Sequence, residues 1–223
     1  MERKSDDKVC KVIALDDTVF FNSGNVRVMT LRGKPWESIQ TAREIYKVNK
    51  NHSAQSLSSA WGEEAMSWFG IQSPLDIRKI MWPDGGLVTG GFINFDADGK
   101  PAAFAQALYF NPVTRRLYMQ PENQFQIGGT GLHPELVEEF AKAETGRALK
   151  AYGNLKPHNV GRNLSYDKEF VAKAVQFVID NVSGEDKLLV HGPVDVVVVR
   201  RARINWGARK RNCYSQDVHS RER

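Results

Sequence analysis

Along this chain the apolar positions alternate in some stretches and recur at steps of three or four in others. Two β-prone runs come first, "VCKVIAL" (9–15) and "TVFFNSG" (18–24), with Asp16-Asp17 between them. Acidic turn residues between such runs predict a hairpin. From Pro35, a favoured first helical residue, Trp36, Ile39, Ala42, Ile45 and Tyr46 fall at helical spacing. A second helix is predicted from Ser53, with Leu57, Trp61, Ala65 and Trp68 at steps of three or four. That aromatic stripe reads as a core face, not as a cofactor box. Ser73-Pro74 opens a short third helix over "LDIRKIMW", which Pro83-Asp84-Gly85-Gly86 ends.

The middle of the chain returns to strand character. "LVTGGFINFD" and "AAFAQALYFN" flank Ala97-Asp98-Gly99-Lys100-Pro101, a strong turn signal. Their glycines and alanines predict close packing on an inner face. "RRLYMQP" and "QFQIGGTG" follow as further strand candidates. Pro134 then opens a helix through Leu136, Val137, Phe140 and Ala143, and Asp167 caps another through Phe170, Ala174, Phe177 and Ile179. "PVDVVVVRR" and "RINW" are the last strand candidates. Helix pairs between blocks of hairpin strands do not suit a doubly wound parallel sheet, where strand and helix alternate singly. The order predicts an α+β protein with two antiparallel sheets packed face to face and helix pairs outside. One domain is expected over residues 1–207, and a basic, disordered tail over 208–223.

Charge changes this picture only at one end. The net charge is +5, but eight basic residues from Arg200 to Arg223 against Asp217 and Glu222 give that segment +6, leaving −1 for the rest. A basic strip can hold phosphate backbones. This one has only Trp206 and Tyr214 as interleaved aromatics, so nucleic acid is not the expected partner. No apolar run reaches the ~20 residues of a membrane span, and the charged start carries no signal-peptide pattern. A cytoplasmic location is therefore expected. Cys10 and Cys213, near opposite ends of the sequence, read as idle thiols and not as a disulfide.

Motif searches exclude several chemistries. No phosphate-cradling G-x-x-x-x-G-K-[ST] and no G-x-G-x-x-G are present. Neither is the G-x-S-x-G elbow of serine hydrolases. The five histidines, His52, His133, His158, His191 and His219, form no tight pair, so no metal or other cofactor is expected. "DADGK" (96–100) has its glycine too early for a calcium loop and reads as a hairpin turn. Asp195, in an apolar strand, is expected to bond backbone or an arginine.

Taken in order, four stretches resemble the proteasome-type N-terminal-nucleophile hydrolases. "DDKVCKVIALDDTVFFNSGN" is similar to the family's Lys-rich lead-in, hairpin and Gly segment before the first helix. "TGGFINFDADGKPAAFAQALYFNP" resembles its central hairpin, "QFQIGGTG" its Ile-Gly-Ser-Gly segment, and "HGPVDVVVVRRARINW" its closing Gly-Pro-Ile-Asp strand. The resemblance covers Lys8 to Trp206. It implies a four-layer αββα sandwich, the threonine-type peptidase class, a peptide or amide substrate, and assembly into homo-oligomers.

In that family an N-terminal Thr, Ser or Cys attacks and its α-amino group is the base. Those residues precede the segment matched by Lys8-Val9-Cys10-Lys11, and Met1-Glu2 offers no hydroxyl or thiol. The expectation is therefore a truncated or non-catalytic chain with no assigned nucleophile. Thr130 is the sole candidate site residue: a one-residue slip would match it to the family's Ser beside the nucleophile. Without the slip Gly129 holds that place, and Thr130 equally serves as a turn or cap before Pro134. The alternative function is a non-enzymatic binding module whose Arg-rich strip from Arg200 onward holds nucleic acid or an acidic partner.

Overall fold

Asp16 takes a left-handed φ of 54°, a conformation that Asp tolerates better than most residues. The resulting turn folds β1 (Val12–Leu15) antiparallel onto β2 (Thr18–Gly24), in the register Ile13↔Phe20 and Leu15↔Thr18. This is the hairpin that the sequence predicts. The computed structural model describes residues 10–28, 35–122, 139–140, 142–144, 147, 173, 176–177, 180–181, 195–201, 203–210, 213 and 217.

These residues fall in two units. The first spans 9–126, 199–204 and 215–223, and the second 1–8, 127–198 and 205–214. The first unit is built on one sheet of order β1-β2-β5-β6-β7, antiparallel at every pairing. Its other strands are β5 (Gly86–Phe95), β6 (Pro101–Asn111) and β7 (Arg116–Glu122). The β5–β6 connection is the predicted hairpin turn. Asp96 Oδ1 accepts from Lys100 N at 2.8 Å, and Gly99 N donates to Asp96 O at 2.9 Å. Gly99 has a φ of +76°, which glycine adopts without the penalty a side chain would bring.

Helices α1 (Ser38–Val48), α2 (Ala54–Gly70) and α3 (Pro74–Ile80) follow the hairpin. Ser53 and Ser73 cap α2 and α3 by accepting from Ser56 N and Asp76 N, and Pro74 takes the first turn of α3. The start of α1 differs from the prediction. Pro35 does not open the helix: Trp36–Glu37 is extended as β4, paired with β3 (Arg27–Val28). Ser38 N donates to Val26 O, so the backbone stays extended until Ser38.

Helix α2 packs on β5 and β6 through Leu57, Trp61, Ala65 and Phe69, all buried, with Trp68 half-buried beside them. The small residues of β5 allow this approach. A Cβ on Gly90 would lie 2.5 Å from Cζ2 of Trp61, so the indole rests on bare backbone. Trp61 also meets Phe20 and Trp36 at centroid distances of 5.8 and 6.0 Å. On the face of the sheet opposite α2, Val19, Ala105 and Ala107 are buried as well.

In the second unit Glu139, Phe140, Lys142–Glu144 and Arg147 are helical, as are Lys173, Gln176, Phe177, Asp180 and Asn181. These lie where Pro134 and Asp167 predict helices, and the Phe140 and Phe177 rings stand 5.3 Å apart. Val196–Arg200 and Arg203–Ala208 pair as β8 and β9, of which residues 199–204 belong to the first unit. Cys10 and Cys213 are both disulfide-bonded, and neither is a free thiol. The expectation of idle thiols is thereby overturned, because distance along a chain is no guide to a cysteine's oxidation state.

Candidate functional site

Titratable side chains gather where α1 meets the β1–β2 turn. Arg43 and Tyr46 lie three residues apart and so share one side of α1, and Lys50 follows just beyond the helix's C-terminal cap, Asn49. Opposite them stand three carboxylates. Lys50 Nζ pairs with Asp16 Oδ2 at 3.2 Å. The Tyr46 hydroxyl donates to Asp17 Oδ1 at 3.2 Å. Asp217 Oδ1 accepts from Ala14 N at 2.8 Å, on the outer edge of β1.

Electrostatics follow this arrangement. Burial raises the Tyr46 phenol above its ordinary value, and the negative charges of Asp17 and Asp16 push it the same way. Tyr46 is therefore a neutral donor throughout the neutral range and cannot serve as a base there. Burial lowers the Arg43 guanidinium, while Asp217 and then Glu37 oppose that shift. An arginine so placed stays charged.

Thr18 completes the cluster, its hydroxyl donating to Asp17 Oδ1 at 3.1 Å. A hydroxyl donating to a carboxylate is the first half of a nucleophile–base pair. Thr18 is, however, only 1% exposed, so no substrate carbonyl can come to it from solvent. The seam can fasten the edge hairpin to α1; it does not present a reactive group.

Thr130 lies outside the described residues, as do His133, His158, His191 and His219. His52 is exposed, and its carbonyl accepts from Asn94 Nδ2 at 3.0 Å. Asp195 does what its surroundings predict: its Oδ1 accepts the backbone N–H of Lys210 at 2.8 Å. Among the described residues no group of three or more His, Cys, Asp or Glu could hold a metal. None of their helices is long and apolar enough to cross a membrane.

Within the basic strip the arginines divide. Arg200, Arg201 and Arg203 are exposed around the β8–β9 turn. Arg209 instead lies 3.9 Å over the Trp206 ring and donates to Cys213 O. In the sequence Asp16-Asp17 reads as a turn, Tyr46 as one of the apolar positions at helical spacing, and Asp217 as a charge only. The spacing of Arg43 and Tyr46 is the available signal for the seam, although it does not reveal the carboxylates opposite. No family model, curated protein or solved structure matches the chain.

Proposed function

We propose that this chain is a non-catalytic member of the proteasome-type N-terminal-nucleophile hydrolase class, built on a four-layer αββα sandwich. The observation that carries the reading is the two-sided burial of the β1-β2-β5-β6-β7 sheet. Helices α1 and α2 account for one face, through Phe20, Phe92 and Trp61. On the other face Val19, Ala105 and Ala107 are buried too. Small side chains there suit a second sheet at the close spacing of stacked sheets, ~10 Å. The Asp-x-x-Gly-Lys-Pro turn between β5 and β6 agrees with the central hairpin of that class.

The class supplies acyl transfer from a peptide carbonyl to a hydroxyl or thiol. Among the described residues no nucleophile is assigned, since Thr18 is enclosed and engaged with Asp17. Assembly into homo-oligomers belongs to the same reading. Two measurements test it. An experimental structure is expected to have a second antiparallel sheet over Ala105 and Ala107; a helical layer there overturns the fold assignment. Purified chain is expected to leave fluorogenic peptides uncut, and turnover blocked by a threonine-directed inhibitor overturns its non-catalytic character.

A further inference from the structure

Three enclosed polar side chains have no hydrogen-bond partner among the described residues. Asn22 is 4% exposed, and neither its Oδ1 nor its Nδ2 has a hydrogen-bond partner among the described residues. Ser38 is 0% exposed and its Oγ is likewise unanswered, as is Nε1 of Trp36 at 4% exposure. Trp61 connects the places they occupy. Asn22 lies opposite Gly90 in the β2–β5 register, and the place of the missing Gly90 Cβ is filled by Cζ2 and Cε2 of Trp61. Nε1 of the same indole donates to Ser38 O at 3.2 Å. Ser38 N donates to Val26 O at 2.9 Å, which brings the start of α1 back to the end of β2.

A carboxamide and a hydroxyl that are buried and unanswered are costly, and native chains satisfy such groups with protein atoms or ordered water. The occupant has to accept from Asn22 Nδ2 and donate to Asn22 Oδ1 or Ser38 Oγ. It has to be small, because Trp36, Trp61 and Phe20 crowd the same space. It has to be uncharged, because an ion among these rings would lack a counter-charge. We propose that Asn22 and Ser38 hold a buried, structurally ordered water molecule between β2 and the start of α1, at the edge of Trp61. A polar site with roughly two to four partners in reach is where such waters are retained.

The test uses the full wild-type chain. A high-resolution crystal structure is expected to place a water oxygen within about 2.7–3.2 Å of both the Asn22 carboxamide and Ser38 Oγ. A dry site, or Asn22 bonded directly to Ser38 or to backbone, overturns the proposal. In solution, the Asn22 side-chain amide protons are expected to give a cross-peak to a long-lived water. Ser38→Ala is expected to weaken that cross-peak severalfold. An absent cross-peak in the wild type, or one unchanged in Ser38→Ala, also overturns it.

Discussion

Ser58 and Asn94 share the helix–sheet interface with Asn22 and Ser38, yet the two pairs are treated in opposite ways. Ser58 Oγ accepts from Phe92 N at 3.1 Å and donates to Phe104 O at 2.7 Å, bridging residues that face each other across β5 and β6. Asn94 accepts from Ala54 N at 3.1 Å and donates to His52 O at 3.0 Å. It thereby satisfies one of the donors that the start of α2 leaves open. The side chains of Asn22 and Ser38 make no such bonds among the described residues. The difference teaches that burial of a polar group is not one kind of feature. Ser58 and Asn94 join α2 and its lead-in to the sheet; Asn22 and Ser38 make a place for something else.

The comparison is broken most severely through the ring that touches it. Trp61 lies on Gly90, the register partner of Asn22, donates to Ser38 O, and is about one turn along α2 from Ser58. Trp61→Ala removes a fully buried side chain from a site that its neighbours cannot refill. Loss of about 3–5 kcal/mol is expected, read as a lowered midpoint in chemical denaturation. A loss under 1 kcal/mol would mean that the indole does not organise this interface. Gly90→Ala is the next largest. Its new Cβ would meet the indole at 2.5 Å, and overpacking of this kind costs about 1–3 kcal/mol. Thermal unfolding of the variant checks it, with an unchanged midpoint as the contrary result.

The sharper test is a matched pair. Ser58→Ala and Ser38→Ala are the same chemical change at two positions that are both 0% exposed. Removing the Ser58 hydroxyl leaves Phe92 N and Phe104 O without it, at a cost of about 1–3 kcal/mol. Removing the Ser38 hydroxyl takes a direct bond from no described protein group, and the expected cost is smaller. Equal losses in the two variants would erase the distinction.

Much of the first unit was legible because turns and strands carry local signals. Asp16-Asp17 and the 97–101 turn bracket β1, β2, β5 and β6, and the stripe of α2 follows its Ser53 cap. Gly90 was legible as a close contact, though not as a seat for Trp61. The start of α1 was misread because Pro35 is a good local signal that loses to a tertiary bond, Ser38 N to Val26 O. The seam at Asp16, Asp17 and Asp217 was invisible for the same reason: Asp217 and Ala14 are 203 residues apart in the chain. Asp195 was predictable in kind, since a carboxylate in an apolar strand needs a donor, but Lys210 N–H was not predictable as that donor. Thr130 lies outside the described residues.

Tyr46 offers a third treatment of a buried polar group, an answer by charge, and the smallest of the expected effects. Its phenol is raised by burial first, then by the charges of Asp17 and Asp16. The folded state therefore keeps the proton at pH values where the unfolded chain, with an ordinary value of about 10, releases it. Above that pH the native state binds more protons than the unfolded state, so stability falls as pH rises. Below it the stabilisation is fully present. Denaturation midpoints measured on either side of that value should decline for the wild type. Tyr46→Phe cannot ionise and should decline less, whatever its stability at neutral pH. Parallel declines in the two proteins would assign the alkaline loss to other groups and leave the Tyr46–Asp17 bond without a part in it.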